Sequence, residues 1–321
     1  MPSSTSSSEH LYPDARLPAA RGGRWVVVAI AFVAAWFVGD RLLATCCQRL
    51  ALASNFRFSR VYAGTAAAEI VFLGDSRGVN TFYEPAIERT CGRKGLNLAY
   101  NGCSAAIAAI LLEDYLDRHP SPAAVVLEAS CARQGDELLK SLRMFAAESP
   151  RLAAAVEARE PLLARAAKIT RLYAFNSEMF LRAIYYLGRG DQAWINRYTI
   201  NPTLLAAAEA ARGQPLALEA PTEENLAAIR RIRDVCRERG IGFRCVIGPY
   251  LPPYRARLTN LDEWKARFTA ATAVDVVDLS AAVAESGAFA DNLHLNDRGA
   301  EMLTPALCDI LPSPAPGTER P

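Results

Sequence analysis

A serine hydroxyl becomes a nucleophile near neutral pH when an imidazole stands beside it and a carboxylate orients that imidazole. Ser76, His294 and Asp291 are the residues of this chain that can supply such a set. Ser76 closes the tripeptide Gly74-Asp75-Ser76, which follows the apolar run 69–73. A glycine turn after a buried strand puts a serine at the open end of a sheet, where backbone N–H groups are free and a helix can begin. Asp291 and His294 stand three residues apart in Asp291-Asn292-Leu293-His294-Leu295-Asn296. The chain has 3 histidines, which permits an elimination. His10 lies in the N-terminal tail, and His119, just before Pro120, reads as a capping or surface residue at a helix end. That leaves His294 as the base for Ser76, with Asp291 accepting its Nδ1–H and turning Nε2 toward the hydroxyl. Each motif also has a plainer reading. Gly-Asp-Ser is an ordinary turn sequence, and Asp291-x-x-His294 could be a turn that caps the final helix region.

These residues meet only if the chain between them folds so as to bring them to one edge. From residue 69 it alternates strand and helix. Strand-like runs lie at 68–73, 95–99, 123–128, 242–247 and 274–279, and helical periodicity fills 104–118, 223–239, 258–271 and 297–311. Thr222 and Asn296 suit helix N-caps, and Gly240 suits a helix stop. Short buried strands separated by helices predict a mainly parallel sheet covered on both faces. Ligands of such sheets bind at the carboxyl ends of the strands. Ser76, Asn101-Gly102, Ser130-Cys131, Pro249-Tyr250 and the Asp291/His294 pair each fall just past one of the five predicted ends. Residues 134–220 break the rhythm with a helical, Ala-, Leu- and Arg-rich segment carrying seven aromatic residues from Tyr173 to Tyr198. It is either a lid or substrate-binding insertion or a helical layer packing those aromatics into its own core, the reading preferred for most of them.

Gly74-Asp75-Ser76, Asn101-Gly102 and Asp291-x-x-His294, in this order on one α/β sheet, resemble the SGNH/GDSL hydrolase superfamily over about residues 69–311. The resemblance implies a three-layer α/β sandwich with a mainly parallel, flavodoxin-like sheet of five strands. It implies Ser76 as nucleophile, His294 as general base, Asp291 as its orienting carboxylate, and the backbone N–H groups of Ser76 and Gly102 as oxyanion hole. The chain departs from the family after the third strand. There such enzymes show Gly-x-Asn-Asp, whereas this chain reads Glu128-Ala129-Ser130-Cys131-Ala132-Arg133, without an asparagine. One lost oxyanion donor typically costs ~10²–10³ in turnover; Ser130 and Arg77 are the nearby candidates to replace it. Arg77 is either an anion-binding side chain or a salt-bridge partner for Asp75 or Glu128, the second being preferred. Tyr250, among Pro249, Pro252 and Pro253, stiffens a loop that could line the site. Arg77, Asn101, Ser130 and Tyr250 are therefore the candidate substrate contacts.

The chain has 321 residues, 51% of them apolar, which allows one large domain or two small ones. A net charge of +2 offers no electrostatic case for a nucleic-acid partner. No cofactor loop of either common Gly-rich kind is present, and no metal site is expected. A polar tail (1–24) with Arg16, Arg21 and Arg24 runs into an uncharged stretch, 25–39, interrupted by Asp40-Arg41 and resumed at 42–44. We expect a transmembrane anchor over 25–45, a linker over 46–67, the α/β domain over 68–312 with its insertion at 134–220, and a flexible tail over 313–321. The uncharged run is shorter than the ~20 residues of an ordinary span, but flanking charges can snorkel. The preceding arginines favour a cytoplasmic N-terminus and an extracytoplasmic, periplasmic domain. A cleaved signal peptide and lipidation at Cys46 both fit poorly across Asp40-Arg41, and a buried amphipathic helix is the remaining alternative. The 8 cysteines show no Cys-x-x-Cys pair. A disulfide is allowed outside the cytoplasm, although several cysteines read as buried hydrophobes.

Together these features predict acyl transfer through an acyl-enzyme on Ser76, passing to water or to a sugar hydroxyl. For an anchored, extracytoplasmic member the resemblance implies a polysaccharide carrying or accepting acetyl groups, and partner proteins of a cell-envelope assembly. The rival is a catalytically weak or inactive binding or scaffold protein that keeps the fold without the third-strand asparagine.

Overall fold

The computed structural model describes residues 22–190 and 194–311; the polar tail with His10, Arg16 and Arg21, and the C-terminal tail, lie outside the described residues. Five strands, β1 Ile70–Leu73, β2 Gly95–Asn97, β3 Ala124–Glu128, β4 Gly242–Ile247 and β5 Val276–Asp278, form one sheet in the order β2-β1-β3-β4-β5. Every pairing is parallel. The predicted mainly parallel sheet is thus all-parallel, with the flavodoxin-type order whose switch point lies between β1 and β3. Side chains alternate between two cores. Val71, Leu73, Val125, Leu127, Cys245 and Ile247 enter one, and Ile70, Phe72, Ala124, Val126 and Val246 the other. A slip of one residue would exchange the two sets, so register is tightly specified.

Helices are numbered along the chain. Before the sheet come α1 Gly22–Leu52 and α2 Arg57–Tyr62; between β1 and β3 come α3 Ser76–Thr81, α4 Glu84–Cys91 and α5 Ala105–Leu116. Then follow α6 Glu137–Leu142, α7 Pro150–Arg159, α8 Pro161–Ile169, α9 Glu178–Tyr185, α10 Pro202–Ala210, α11 Glu223–Glu238, α12 Pro252–Arg255, α13 Leu261–Thr272 and α14 Asp297–Ile310. α2, α5, α11 and α13 cover the first core, and α4 and α14 the second, which makes the three layers. The caps are those the sequence indicates. Thr222 accepts from Asn225 N–H at 3.2 Å, and Asn296 from Gly299 N–H at 3.0 Å. The insertion packs on the first core through Leu138, Leu142, Leu152, Phe175 and Met179, so most of it is a helical layer with its own buried side chains.

The predicted linker at 46–67 is not one. α1 runs on to Leu52, and the next turns bury Phe56, Phe58 and Val61 completely. Burial of three large apolar side chains within six residues makes this stretch part of the core. Within α1, residues Arg24–Leu52 form a helix of 29 residues whose most apolar 18-residue stretch has a mean hydropathy of 2.0, long and apolar enough to cross a membrane. Asp40 does not interrupt it. Its carboxylate accepts from the N–H groups of Arg171 (2.8 Å) and Leu172 (3.1 Å), capping a 3-10 turn at Arg171–Phe175, and pairs with Arg41. The two charges therefore join α1 to the insertion. Gln48 Nε2 adds a bond to Glu148 at 2.9 Å.

Cys91 at the end of α4 and Cys308 in α14 form a disulfide, with Cα atoms 5.5 Å apart. Cys103, Cys131, Cys236 and Cys245 are free and buried, as small hydrophobes. The bridge closes a very long loop, so replacing both Cys91 and Cys308 by Ser should cost about 2–4 kcal/mol. Denaturant unfolding of the full chain in detergent measures this, and reduction of the unmodified protein should reproduce it. No difference between oxidised and reduced protein would show that the bridge contributes nothing.

Candidate functional site

β1 ends at Leu73, and the chain reverses through Gly74, whose φ of +148° is open to few residues other than glycine. A Cβ there would also stand 2.9 Å from that of Glu128. Asp75 then caps α3, accepting from Arg77 N–H at 2.9 Å, which places Ser76 at the first helical position. No intrahelical acceptor exists for an N–H at that position. Asn80 Nδ2 steadies the turn by donating to the Ser76 carbonyl at 2.8 Å.

The sequence-predicted triad meets in space. His294 Nε2 lies 2.8 Å from Ser76 Oγ, and His294 Nδ1 lies 2.8 Å from Asp291 Oδ2 and 3.0 Å from Oδ1. An ionised carboxylate only accepts, so Nδ1 carries the proton and Nε2 of the neutral ring accepts from the serine hydroxyl. Asp291 Oδ1 also accepts from the N–H groups of Leu293 (2.8 Å) and His294 (2.9 Å), which locks the loop. Partial burial works against ionisation of Asp291, but the His294 ring and these two amides outweigh it and hold its carboxyl below the ordinary range. The other described histidine is elsewhere: His119 is buried, stacked on Tyr115, with Nε2 3.0 Å from the Val61 carbonyl. It is a core histidine, not a surface one.

Gly102 occupies the turn after β2 with φ +69° and nothing within 4 Å of a notional Cβ, so conformation rather than space calls for glycine there. Asn101 beside it is exposed, and no other side chain engages it among the described residues. The remaining predicted contacts are not available to a ligand. Arg77 is buried and fully engaged: Nε to Glu128 Oε1 at 3.1 Å, Nη1 to the Leu293 carbonyl at 2.9 Å, Nη2 to the Gly248 carbonyl at 2.5 Å. Of its two readings, the salt bridge holds. Tyr250 is buried beneath it, its ring centroid 3.7 Å from the guanidinium carbon, and so supports Arg77 rather than lining the site. Ser130 is buried, with Oγ 2.9 Å from both Asp75 carboxylate oxygens and in a short contact with Glu128. Neither Arg77 nor Ser130 can replace the absent asparagine as an oxyanion donor, because both are committed to buried carboxylates.

Those carboxylates form the part of the site that sequence reading left undeveloped. Glu128, at the end of an otherwise apolar strand, accepts from Arg77, Gly248 N–H and Ser130 N–H. Gln134 Nε2 donates to Asp75 at 2.8 Å. Burial and the neighbouring Glu128 push the Asp75 carboxyl up, against the pull of Arg77. A charged residue closing a buried strand was the available signal, since such a charge must find a partner. The insertion also reaches this edge: Asn196 N–H donates to Asn80 Oδ1 at 3.0 Å, and its carbonyl accepts from Asp297 N–H at 2.8 Å. Among the described residues no group of three or more His, Cys, Asp or Glu is placed to hold a metal ion.

No protein-family model matches the chain, and no curated protein matches it. Among solved structures, it is similar to one from Streptococcus pneumonia provisionally named a platelet activating factor, with 12% identity and a TM-score of 0.40 over 89% of this chain and 99% of that one.

Removing Arg77 strands two buried carboxylates. Arg77→Ala should cost about 3–5 kcal/mol, well above a surface pair. Arg77→Lys should recover only part, because an ammonium cannot span the three acceptors. For a carboxyl whose folded pKa is raised, such as Asp75, stability falls as pH rises from the ordinary carboxylate range toward the raised value. The Arg77→Ala deficit should therefore shrink on acidification. Thermal unfolding across acidic to neutral pH measures it, and a pH-independent deficit would contradict the charge argument.

Proposed function

We propose that the chain is a serine-dependent ester hydrolase or O-acyltransferase of the SGNH/GDSL type, acting on an extracytoplasmic substrate. One observation carries the reading: the continuous relay from Asp291 through His294 to Ser76 Oγ at 2.8 Å per step, placed at the switch point of a parallel sheet. Ser76 Oγ attacks an ester carbonyl carbon while His294 Nε2 takes its proton. The oxyanion is held by the N–H groups of Ser76 and Gly102. Collapse of this intermediate expels the alcohol, which leaves with the proton from His294, and an acyl group remains on Ser76. Water or a sugar hydroxyl then attacks the acyl carbon, again giving its proton to His294, and release restores the serine. The depressed carboxyl of Asp291 stays ionised throughout and stabilises the imidazolium.

Two oxyanion donors rather than three predict slow turnover, by the ~10²–10³ that one donor is worth. That same deficit supports the rival reading of an anchored binding or scaffold protein. A fluorophosphonate probe decides between them, applied to the full chain in detergent, since residues 40–52 pack against the domain and a fragment beginning near Ala51 would lose the Asp40 cap. Labelling should fall on Ser76 and vanish in Ser76→Ala. Aryl acetate turnover should drop ~10⁶-fold in Ser76→Ala and ~10⁴-fold in Asp291→Asn. An intact fold with no labelled Ser76 leaves the scaffold reading. A glycan acceptor that accelerates acetyl release marks a transferase; indifference marks a hydrolase.

α1 would anchor the chain with its N-terminus in the cytoplasm. The arginines preceding the apolar run support that orientation, and the Cys91–Cys308 disulfide supports an oxidising compartment for the domain. An acylated or acyl-accepting polysaccharide of the envelope then becomes the natural substrate class. A phosphatase reporter fused after Pro321 should be active only when exported. Activity of a cytoplasm-restricted reporter at that position would reverse the orientation.

A further inference from the structure

A cavity of about 700 Å³, lined by none of the residues around Ser76, lies between the second half of α1 and the α7–α8 pair, within the usual volume range of ligand pockets. Its wall is largely apolar, with Ala44, Val156, Leu163, Ala164, Ala167 and Phe175. Arg49 and Arg171 also line it, and neither forms an ion pair among the described residues. The one acid at its wall, Glu157, is already neutralised by Lys168 at 2.8 Å.

α8 has apolar residues on both sides and buries none of them fully. Leu163, Ala164 and Ala167 line the cavity, while Leu162 and Ile169, seven positions apart and so on one helix face, are 76% and 65% exposed. The Ile169 carbonyl accepts from Arg41 Nη1 at 3.1 Å, which fixes the end of α8 beside residue 41 of α1.

Helix length indicates what covers this face. The exposed apolar stretch from Trp25 to Val38 rises only about 21 Å at 1.5 Å per residue, whereas a hydrocarbon core of about 30 Å needs about 20 residues. Counted from Trp25, that many residues reach Ala44, which is itself a wall of the cavity. A bilayer crossed by α1 thus comes up to the cavity and meets the outer face of α8. Lipid is the apolar phase available at that depth. Of the three arginines at the wall, Arg143 is spent on the carbonyls of Lys140, Tyr173 and Asn176, and Arg49 and Arg171 are left to select an anionic head group.

We propose that this cavity holds an acyl chain of an anionic phospholipid from the leaflet facing the domain, with its phosphate on Arg49 and Arg171. The proposal rests on α1 spanning the membrane and is independent of the Ser76 chemistry.

The test uses the full chain in nanodiscs of phosphatidylcholine containing phosphatidylglycerol with a diazirine on its acyl chain, with adducts mapped by mass spectrometry. Adducts should appear in 153–167 as well as in 25–43. Adducts confined to 25–43 would overturn the cavity site while leaving the span standing; their absence from 25–38 would overturn the span and this proposal with it. Ala164→Trp should remove the 153–167 adducts and keep the others. Arg49→Gln combined with Arg171→Gln leaves the packing alone and should reduce 153–167 labelling by phosphatidylglycerol about tenfold, the scale of a lost charged hydrogen bond. Equal labelling of the unmodified protein by diazirine-phosphatidylcholine would overturn the anionic assignment.

Discussion

The buried ion pair of Arg77 and Glu128 is the constraint on which the rest of the site depends. Two charges removed from water are tolerated only if nearly every donor and acceptor they carry is satisfied. Here the guanidinium meets that demand with groups from three other segments: the end of β3, the carbonyl after β4, and Leu293 between Asp291 and His294. The Asp291–His294 loop and the Ser76 turn are thereby bolted to one side chain adjacent to Ser76 in sequence. Only a planar fork with several fixed N–H directions can do this, which is why the position calls for arginine. Tyr250 closes the network from below, supplying a ring face where no further acceptor is available.

The same demand explains how the segment after β3 is used. Glu128 and Asp75 sit close enough together that a hydroxyl between them is more useful as their bridge than as a donor to a ligand. Ser130 fills that role, and Gln134 adds an amide to Asp75. The third-strand segment is thereby absorbed in satisfying buried carboxylates. Rigidity of the Ser76 turn and the engagement of Ser130 are two results of one network.

How much of this was legible in the sequence follows from how local each interaction is. The strands could be read because each is a short apolar run with its own boundaries, and Thr222 and Asn296 because a cap acts over three residues. The triad could be read because histidine is scarce, so composition replaced distance information. For Ser130 and Tyr250, both buried, position past a strand end says where a residue lies but not which way its side chain turns. Pairing between Cys91 and Cys308 was hidden by a separation of 217 residues. Asp40-Arg41 was read as a flaw in an apolar run, although the acid caps backbone N–H groups more than 130 residues away. Contacts of that range leave no periodic trace in a single sequence.

That misreading changes the picture of the whole molecule. A linker after a membrane helix would let the domain tumble above its anchor, sampling many heights and orientations. Here α1 is one continuous helix to Leu52, pinned by the Asp40 cap and the Gln48–Glu148 bond, and followed at once by fully buried Phe56 and Phe58. α1 and the α/β domain are thus joined without a linker, and bending between them would expose a carboxylate, two unpaired amides and two aromatic rings. If α1 crosses a bilayer, the sheet edge bearing Ser76 is held at a set height and angle above it. The rigidity that Arg77 gives the site would then extend, through α2 and the insertion, to the membrane itself.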